Sequence, residues 1–276
     1  MVWAADTSKR DRPSTAASGG GEARLNDPAR IAFDAPWLWL AAGWRDLWEA
    51  PLIGLTYGAV FAFGAAVLAL WLWHVEAHSL FPAFAGGFLL MAPFLAMGLY
   101  ETSRQMAAGE AVSFREAAMA GFRAKGQLAL FGVGLMIVFL VWLELAFVLL
   151  VLFMGGGGLP PASAFLSTLL FTWPGLGLLI VGSTVGGVLA ALVFAMSAVA
   201  VPMLLVERVD AVTAMRASIR AVMANQKPMA LWAALIAVMI AAGFVTMLLG
   251  LIVAFPLIGH TTWHAYRAVY PGNGAI

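Results

Sequence analysis

The chain reads as an all-α membrane protein, a polytopic transmembrane helix bundle of about six spans with three amphipathic cytoplasmic surface helices. Three observations predict this class. Hydrophobic residues make up 63% of the 276 and charged residues only 11%, against roughly 25% charged in an ordinary soluble domain. Several apolar runs reach the ~20 residues that a helix needs to cross hydrocarbon. All fifteen Lys and Arg residues fall on one side of these runs, and basic residues resist translocation. The mean hydropathy of +0.93 excludes an ordinary water-soluble fold. The absence of cysteine excludes disulfides, thiolate metal sites and cysteine nucleophiles.

Residues 1–33 are polar, rich in Ala, Gly and Ser, and carry Lys9, Arg10, Arg12, Arg24 and Arg30. They lack the apolar core of a cleavable signal peptide, so a disordered cytoplasmic tail is expected. The membrane domain then runs over 34–270, with a short tail at 271–276. Its first element is an amphipathic helix over 37–49, with Trp37, Leu40, Trp44 and Trp48 sharing a face with Leu47. Tryptophan rings suit the headgroup region, so this helix is expected along the inner leaflet. Spans are predicted over 52–74, 80–101, 128–153 and 175–201. The last apolar stretch, 229–270, would be about 60 Å long as one helix at ~1.5 Å per residue. That is twice the ~30 Å of hydrocarbon, so two spans with a tight turn near Gly243 fit better.

Charge supports six. Arg104, Arg115, Arg123 and Lys125 follow the second span; Arg208, Arg216, Arg220 and Lys227 follow the fourth; Arg267 follows the last. Six spans keep every one of them, with Arg45 and both termini, in the cytoplasm. A five-span chain would strand Arg267 outside.

A degenerate threefold repeat runs through this plan. Each unit opens with a short surface helix, at 37–49, 114–125 and 211–224. These carry Gly43-Trp44-Arg45, Gly121-Phe122-Arg123 and Ser218-Ile219-Arg220 at matching places. Two spans follow, the second bearing Pro93, Pro202 or Pro256. Eleven residues beyond two of these prolines stand Arg104 and Arg267, whereas Thr213 follows Pro202. Ser113 and Glu116 form a capping-box pattern, and Asp210 is placed to cap the next helix. The expected apolar face of that helix is Val212, Met215, Ile219 and Val222. Small residues step by four along the first span (Gly54, Gly58, Ala62, Ala66). The fourth has two such rows: Gly182, Gly186 and Ala190, and Ser183, Gly187 and Ala191. In lipid such stripes decide which helices approach closely.

Few residues offer chemistry. Glu144 is the one acidic side chain well inside a span, about nine residues or ~14 Å from its outer end. Ser183 and Thr184 come to similar depth, so Glu144 is expected to be a neutral, hydrogen-bonded acid tying the third span to the fourth. A proton or cation relay is the sharper alternative. His74/His78 and His260/His264 are two i, i+4 pairs, the spacing of metal ligands on one helix face, but they lie at opposite membrane surfaces. Either pair is a weak metal candidate, and no cofactor is expected. Glu101 and Arg104 are expected to form a weak surface ion pair. Arg45, Arg104, Arg123, Arg220 and Arg267 line the cytoplasmic interface, a charge pattern suited to anionic lipid rather than nucleic acid. Gly155–Gly158 lacks the Lys-Ser/Thr of a phosphate-binding loop.

Three stretches resemble a known family. They are Gly-Phe-Leu-Leu-Met-Ala-Pro-Phe-Leu-Ala-Met-Gly-Leu-Tyr-Glu at 87–101, Val-Phe-Ala-Met-Ser with Val-Pro-Met-Leu-Leu at 193–205, and Phe-Pro-Leu-Ile-Gly-His-Thr-Thr-Trp-His-Ala-Tyr-Arg at 255–267. They are similar to the bacterial membrane proteins grouped as domain of unknown function 2189, over about 37–270. The resemblance implies an integral protein of the bacterial cytoplasmic membrane without an established activity. Some members bear the label of cytochrome c oxidase subunit I, a core with many more spans and haem-binding histidines that this chain does not supply. The expectation is a non-catalytic membrane protein, lipid-interacting or accessory to a larger membrane complex. A small-solute or proton-coupled transporter is the alternative.

Overall fold

The computed structural model describes residues 27–123, 125–155 and 162–271. Among them the fold is all-α, with no strand. Helices α1 (Ala35–Glu49) and α2 (Pro51–His74) are followed by a 3-10 turn at His78–Leu80. A broken rod comes next, made of α3 (Phe81–Leu90), α4 (Ala92–Leu95) and α5 (Met97–Ala107). The second part contains α6 (Phe114–Arg123), α7 (Lys125–Met154), α8 (Ala162–Phe171), α9 (Trp173–Ser197) and α10 (Ala200–Val206). The third contains α11 (Ala211–Ala224), α12 (Gln226–Val245) and α13 (Leu251–Val269). A short helix, a long helix and a proline-bearing rod or helix thus succeed one another three times, with α8 inserted in the second part.

The long apolar helices that can cross a membrane are α2, α7, the α9–α10 rod and α12. Where a span was expected over 80–101 no single long helix forms, and only the shorter apolar stretch His78–Leu90 stands there. Pro93 has no N–H to donate, and the rod breaks at Met91 and Ala96 on either side of it. The α9–α10 rod breaks likewise at Ala198–Val199, just before Pro202, whereas Pro256 sits inside continuous α13. The turn expected near Gly243 falls slightly later, at 246–250. There Thr246 Oγ1 donates to the Ala242 carbonyl at 2.9 Å and accepts from the Gly250 N–H at 2.8 Å. Met247 and Leu248 adopt positive φ in that turn.

Packing follows the three-part order. Each short helix lies on the proline-bearing helix of the part before it: α6 on α5, α11 on α9 and α10, and α1 on α13. The last of these contacts joins the two ends of the chain. The core concentrates where these helices meet, around Leu99, Val199, Met203, Ala214, Trp263, Tyr266 and Tyr270. By contrast only 11% of the apolar stretch of α7 is buried. Most of its large apolar side chains, Leu140 and Phe147 among them, are exposed.

Small residues set the closest approaches. A Cβ at Gly58 would fall 2.6 Å from the Ile252 carbonyl carbon, and one at Gly43 would fall 2.7 Å from the Thr261 nitrogen. Both α2 and α1 therefore press directly on the backbone of α13. The row Gly54, Gly58, Ala62 is buried in this seam. On α9 the rows divide: Gly186 packs on Trp142, while Gly187 meets nothing within 4 Å.

The short helices show which of their faces packs on the bundle, and in α1 this corrects the predicted face. In α11 the buried residues are Ala211, Ala214, Ala217, Ser218 and Ala221, while Val212, Ile219 and Met223 are exposed. In α1 the buried stripe is Ala35, Trp39, Ala42, Gly43, Asp46 and Leu47; Trp37, Trp44 and Trp48 face outward. Leu47 therefore does not share the tryptophan face. Small side chains let α11 lie close to its support, with bulky Val212, Ile219 and Met223 turned away, whereas α1 buries Trp39 and Leu47 beside its small residues.

Asp210 caps α11 as expected, accepting from the Thr213 N–H at 2.9 Å. The capping box is altered: the Ser113 N–H donates to Gln105 Oε1 at 3.2 Å, and Gln105 Nε2 donates to Glu116. The stretch before α1 is tied to the bundle from residue 29 onward. The Ala29 N–H donates to the Val269 carbonyl at 2.8 Å, and Asn225 bonds both the Ile31 N–H and the Ala29 carbonyl. Residues 1–26, 156–161 and 272–276, which include most of both tails and of the Gly-rich turn, lie outside the described residues.

Candidate functional site

The most concentrated buried polar group lies where α1, α5 and α13 converge. Asp46 comes from the buried stripe of α1, Ser103 from the last turns of α5, and His260 with His264 from one face of α13. Ser103 Oγ donates to Asp46 Oδ2 at 2.6 Å and lies 2.8 Å from His260 Nδ1. His264 Nε2 lies 2.8 Å from the same Asp46 oxygen. A carboxylate only accepts, so the single hydroxyl proton of Ser103 goes to Asp46. His260 Nδ1 must then carry the proton given to Ser103, and His264 must donate from Nε2. His260 Nε2 is left as a lone pair, fully buried and without a partner. It faces Gly54, whose absent side chain leaves Leu47 and Pro256 as its surroundings.

The carboxyl of Asp46 sits below the ordinary aspartate value. Burial pushes it upward, but hydrogen bonds from His264 and Ser103 outweigh that. In hydrolytic triads the imidazole stands between acid and hydroxyl, and the hydroxyl opens onto substrate. Here the hydroxyl stands in the middle, has spent its proton on the acid, and is wholly buried. The arrangement is a clamp that fastens three helices.

A second network adjoins it on α5. Arg104 grips Glu101 through Nε at 2.9 Å and Nη2 at 3.0 Å, and reaches Glu110 at 2.7 Å. These bonds hold the Arg104 guanidinium above its ordinary value. The expected weak surface pair is corrected: Glu101 is buried, and a bidentate fork makes the stronger kind of ion pair. Gln105, also buried, bonds Glu101, Glu116 and the Ser113 backbone. Arg104 thereby tethers the turn leading to α6 and is not a free interface cation.

The predicted site residues separate. His260 and His264 do share a face of α13, bridged through Asp46 and Ser103. His74 and His78 do not share a helix, because α2 ends at His74 and Glu76 turns the chain with a φ of 57°. His78 instead approaches Trp73, ring to ring, at 5.8 Å. Among the described residues, no group of three His, Asp or Glu stands close enough to hold a metal. Glu144 is exposed on α7, and the expected tie to Ser183 and Thr184 is absent. Both are exposed on α9, and Thr184 Oγ1 donates to the Ile180 carbonyl at 2.8 Å. The reason is rotational: Trp142, two residues earlier, points inward to the Ala83 carbonyl, so Glu144 points out. Arg45 and Arg220 are exposed and Arg267 is half-buried; the side chain of Arg123 lies outside the described residues.

Sequence reasoning missed Asp46 and Ser103. Asp46 did carry a signal, since it continues the stripe Ala35, Trp39, Ala42 at helical spacing. An acid on a stripe otherwise small and apolar needs partners once that stripe is buried.

No curated protein and no solved structure matches the chain. The resemblance read from the sequence extended over about 37–270; the stretch that matches is shorter and leaves α13 and its histidines outside. Residues 80–206, from the turn before α3 to the end of α10, match the family described as predicted integral membrane protein (DUF2189), which shows the chain's resemblance to that family over this stretch.

Proposed function

We propose that this is a non-catalytic protein of the bacterial cytoplasmic membrane that crosses the bilayer six times, through α2, α3–α5, α7, α9–α10, α12 and α13. Both termini and the helices α1, α6 and α11 lie on the cytoplasmic side. The protein works at the inner leaflet, where it holds lipid headgroups and serves a larger membrane complex as an accessory component. One observation carries this reading. All three short helices bury alanine or glycine against the bundle, α1 with Trp39 and Leu47 beside them, and turn other bulky apolar residues outward: Trp37, Trp44 and Trp48 on α1, Phe114 and Met119 on α6, Val212, Ile219 and Met223 on α11. A water-facing helix has the opposite pattern. Tryptophan flanked by exposed Arg45 suits the boundary of hydrocarbon and anionic headgroups. The wholly buried Ser103, its proton already given to Asp46, supports a structural part for that cluster.

The test is depth. A nitroxide attached at position 44 or 219, in bilayers containing phosphatidylglycerol, should be reached by oxygen and poorly by a water-soluble nickel chelate. Equal access of the chelate to both positions would defeat the inner-leaflet reading. A membrane-impermeant thiol reagent applied to intact cells should modify a cysteine placed at Ala77 and spare one placed at Glu110; the reverse would overturn the threading.

A further inference from the structure

Glu144 presents a problem that the fold leaves unsolved. It sits about ten residues, or ~15 Å, inside the Met154 end of α7, which is one of the helices long and apolar enough to cross the bilayer. Its side chain is exposed and has no hydrogen-bond partner among the described residues. Around it on the same flank stand Leu140, Val141, Phe147 and Val148, all exposed. A carboxyl facing hydrocarbon alone is costly in either protonation state, because nothing replaces the water it lost.

We propose that this flank of α7 is a homodimer interface, in which the Glu144 carboxyls of two copies bond each other across a twofold axis along the membrane normal. A carboxylic acid is donor and acceptor at once, so two identical groups complement each other. A twofold axis brings the same residue of both copies to the same depth, whereas an unrelated helix would need a polar group at that level by chance. The neighbouring helix extends the surface. Trp142 packs on Gly186 and Phe153 on Gly177, so α7 and α9 run antiparallel with Thr184 level with Glu144. Ser183 and Gly187 lie exposed there, Gly187 with open space beside it. The proposal rests on α7 crossing the bilayer and not on the headgroup reading, so either can fail alone.

The native chain has no cysteine, which makes the test clean. Single cysteines at Leu140, Phe147 and, as a control on the exposed side of α12, Val238 are oxidised in liposomes at high lipid-to-protein ratio. A disulfide needs Cα atoms within about 7 Å, so only positions beside the axis should cross-link. Dimers are expected from Leu140→Cys or Phe147→Cys and not from Val238→Cys. In parallel, Glu144→Leu should weaken dimerisation about tenfold, the scale of one interhelical hydrogen bond in lipid. Glu144→Gln, whose amide also donates and accepts, should keep it. Single-molecule photobleaching that finds the wild type monomeric, cross-linking as efficient from Val238→Cys, or an undiminished Glu144→Leu dimer would each overturn the interface. Should Glu144→Leu fail to fold, the cysteine pattern in the Glu144 background decides alone.

Discussion

Asp46 carries two charge-assisted hydrogen bonds at the meeting point of α1, α5 and α13. Its removal strands a buried hydroxyl and an imidazole donor. Asp46→Ala should therefore lower unfolding stability by about 3 kcal/mol, read from thermal or denaturant unfolding in detergent. Acid should act through the same group. Its folded pKa lies below the unfolded one, so its contribution is complete above about pH 4 and is lost as pH falls through the folded value. The melting temperature of Asp46→Asn should accordingly fall less steeply below about pH 4 than that of the wild type. The histidine half of this clamp was legible, since i, i+4 spacing fixes a shared face. The other half was not: Ser103 lies 57 residues from Asp46 and 157 from His260, and helical periodicity holds no record of which helix will lie across.

The seams between helices are made of missing side chains. Gly58 has no room for a Cβ against the backbone of α13, while Gly187 faces open space. Gly58→Ala should cost about 2 kcal/mol or more through forced separation of α2 from α13, whereas Gly187→Ala should be neutral or slightly stabilising, because alanine favours helix. Differential scanning fluorimetry of the two variants checks the contrast. Periodicity found the short helices and the apolar face of α11, but it misplaced Leu47 on α1 and held no record of which face packs inward. In water, burial of large apolar groups drives packing; at a lipid surface those groups are content outside and close fit governs instead. For that reason Ala214→Leu should destabilise by about 1–3 kcal/mol, and Ile219→Ser by much less.

Across the whole molecule the three-part order was readable from the positions of the prolines and the short basic helices. The breaks within α3–α5 and α9–α10 were less so, because a proline shows where a helix is weakened but not whether neighbouring contacts will carry it through, as they do at Pro256. Where the parts match, Asp46 corresponds to Ala124 and Ala221, so the clamp is special to the junction of the chain's two ends. That junction is reinforced by Asn225, which bonds Ala29 and Ile31 at once. Asn225→Ala should loosen the segment over 27–34 and cost about 1–3 kcal/mol, seen as faster amide exchange at residues 29 and 31.

The bond between the Ala29 amide and the Val269 carbonyl brings the first and last of the described residues, near 27 and 271, to one spot. A gene re-cut between Ala111 and Val112, with residue 271 fused through a short linker to residue 27, would deliver the helices in a new order yet leave each one facing its former neighbours. Such a permutant should melt within a few degrees of the original in detergent.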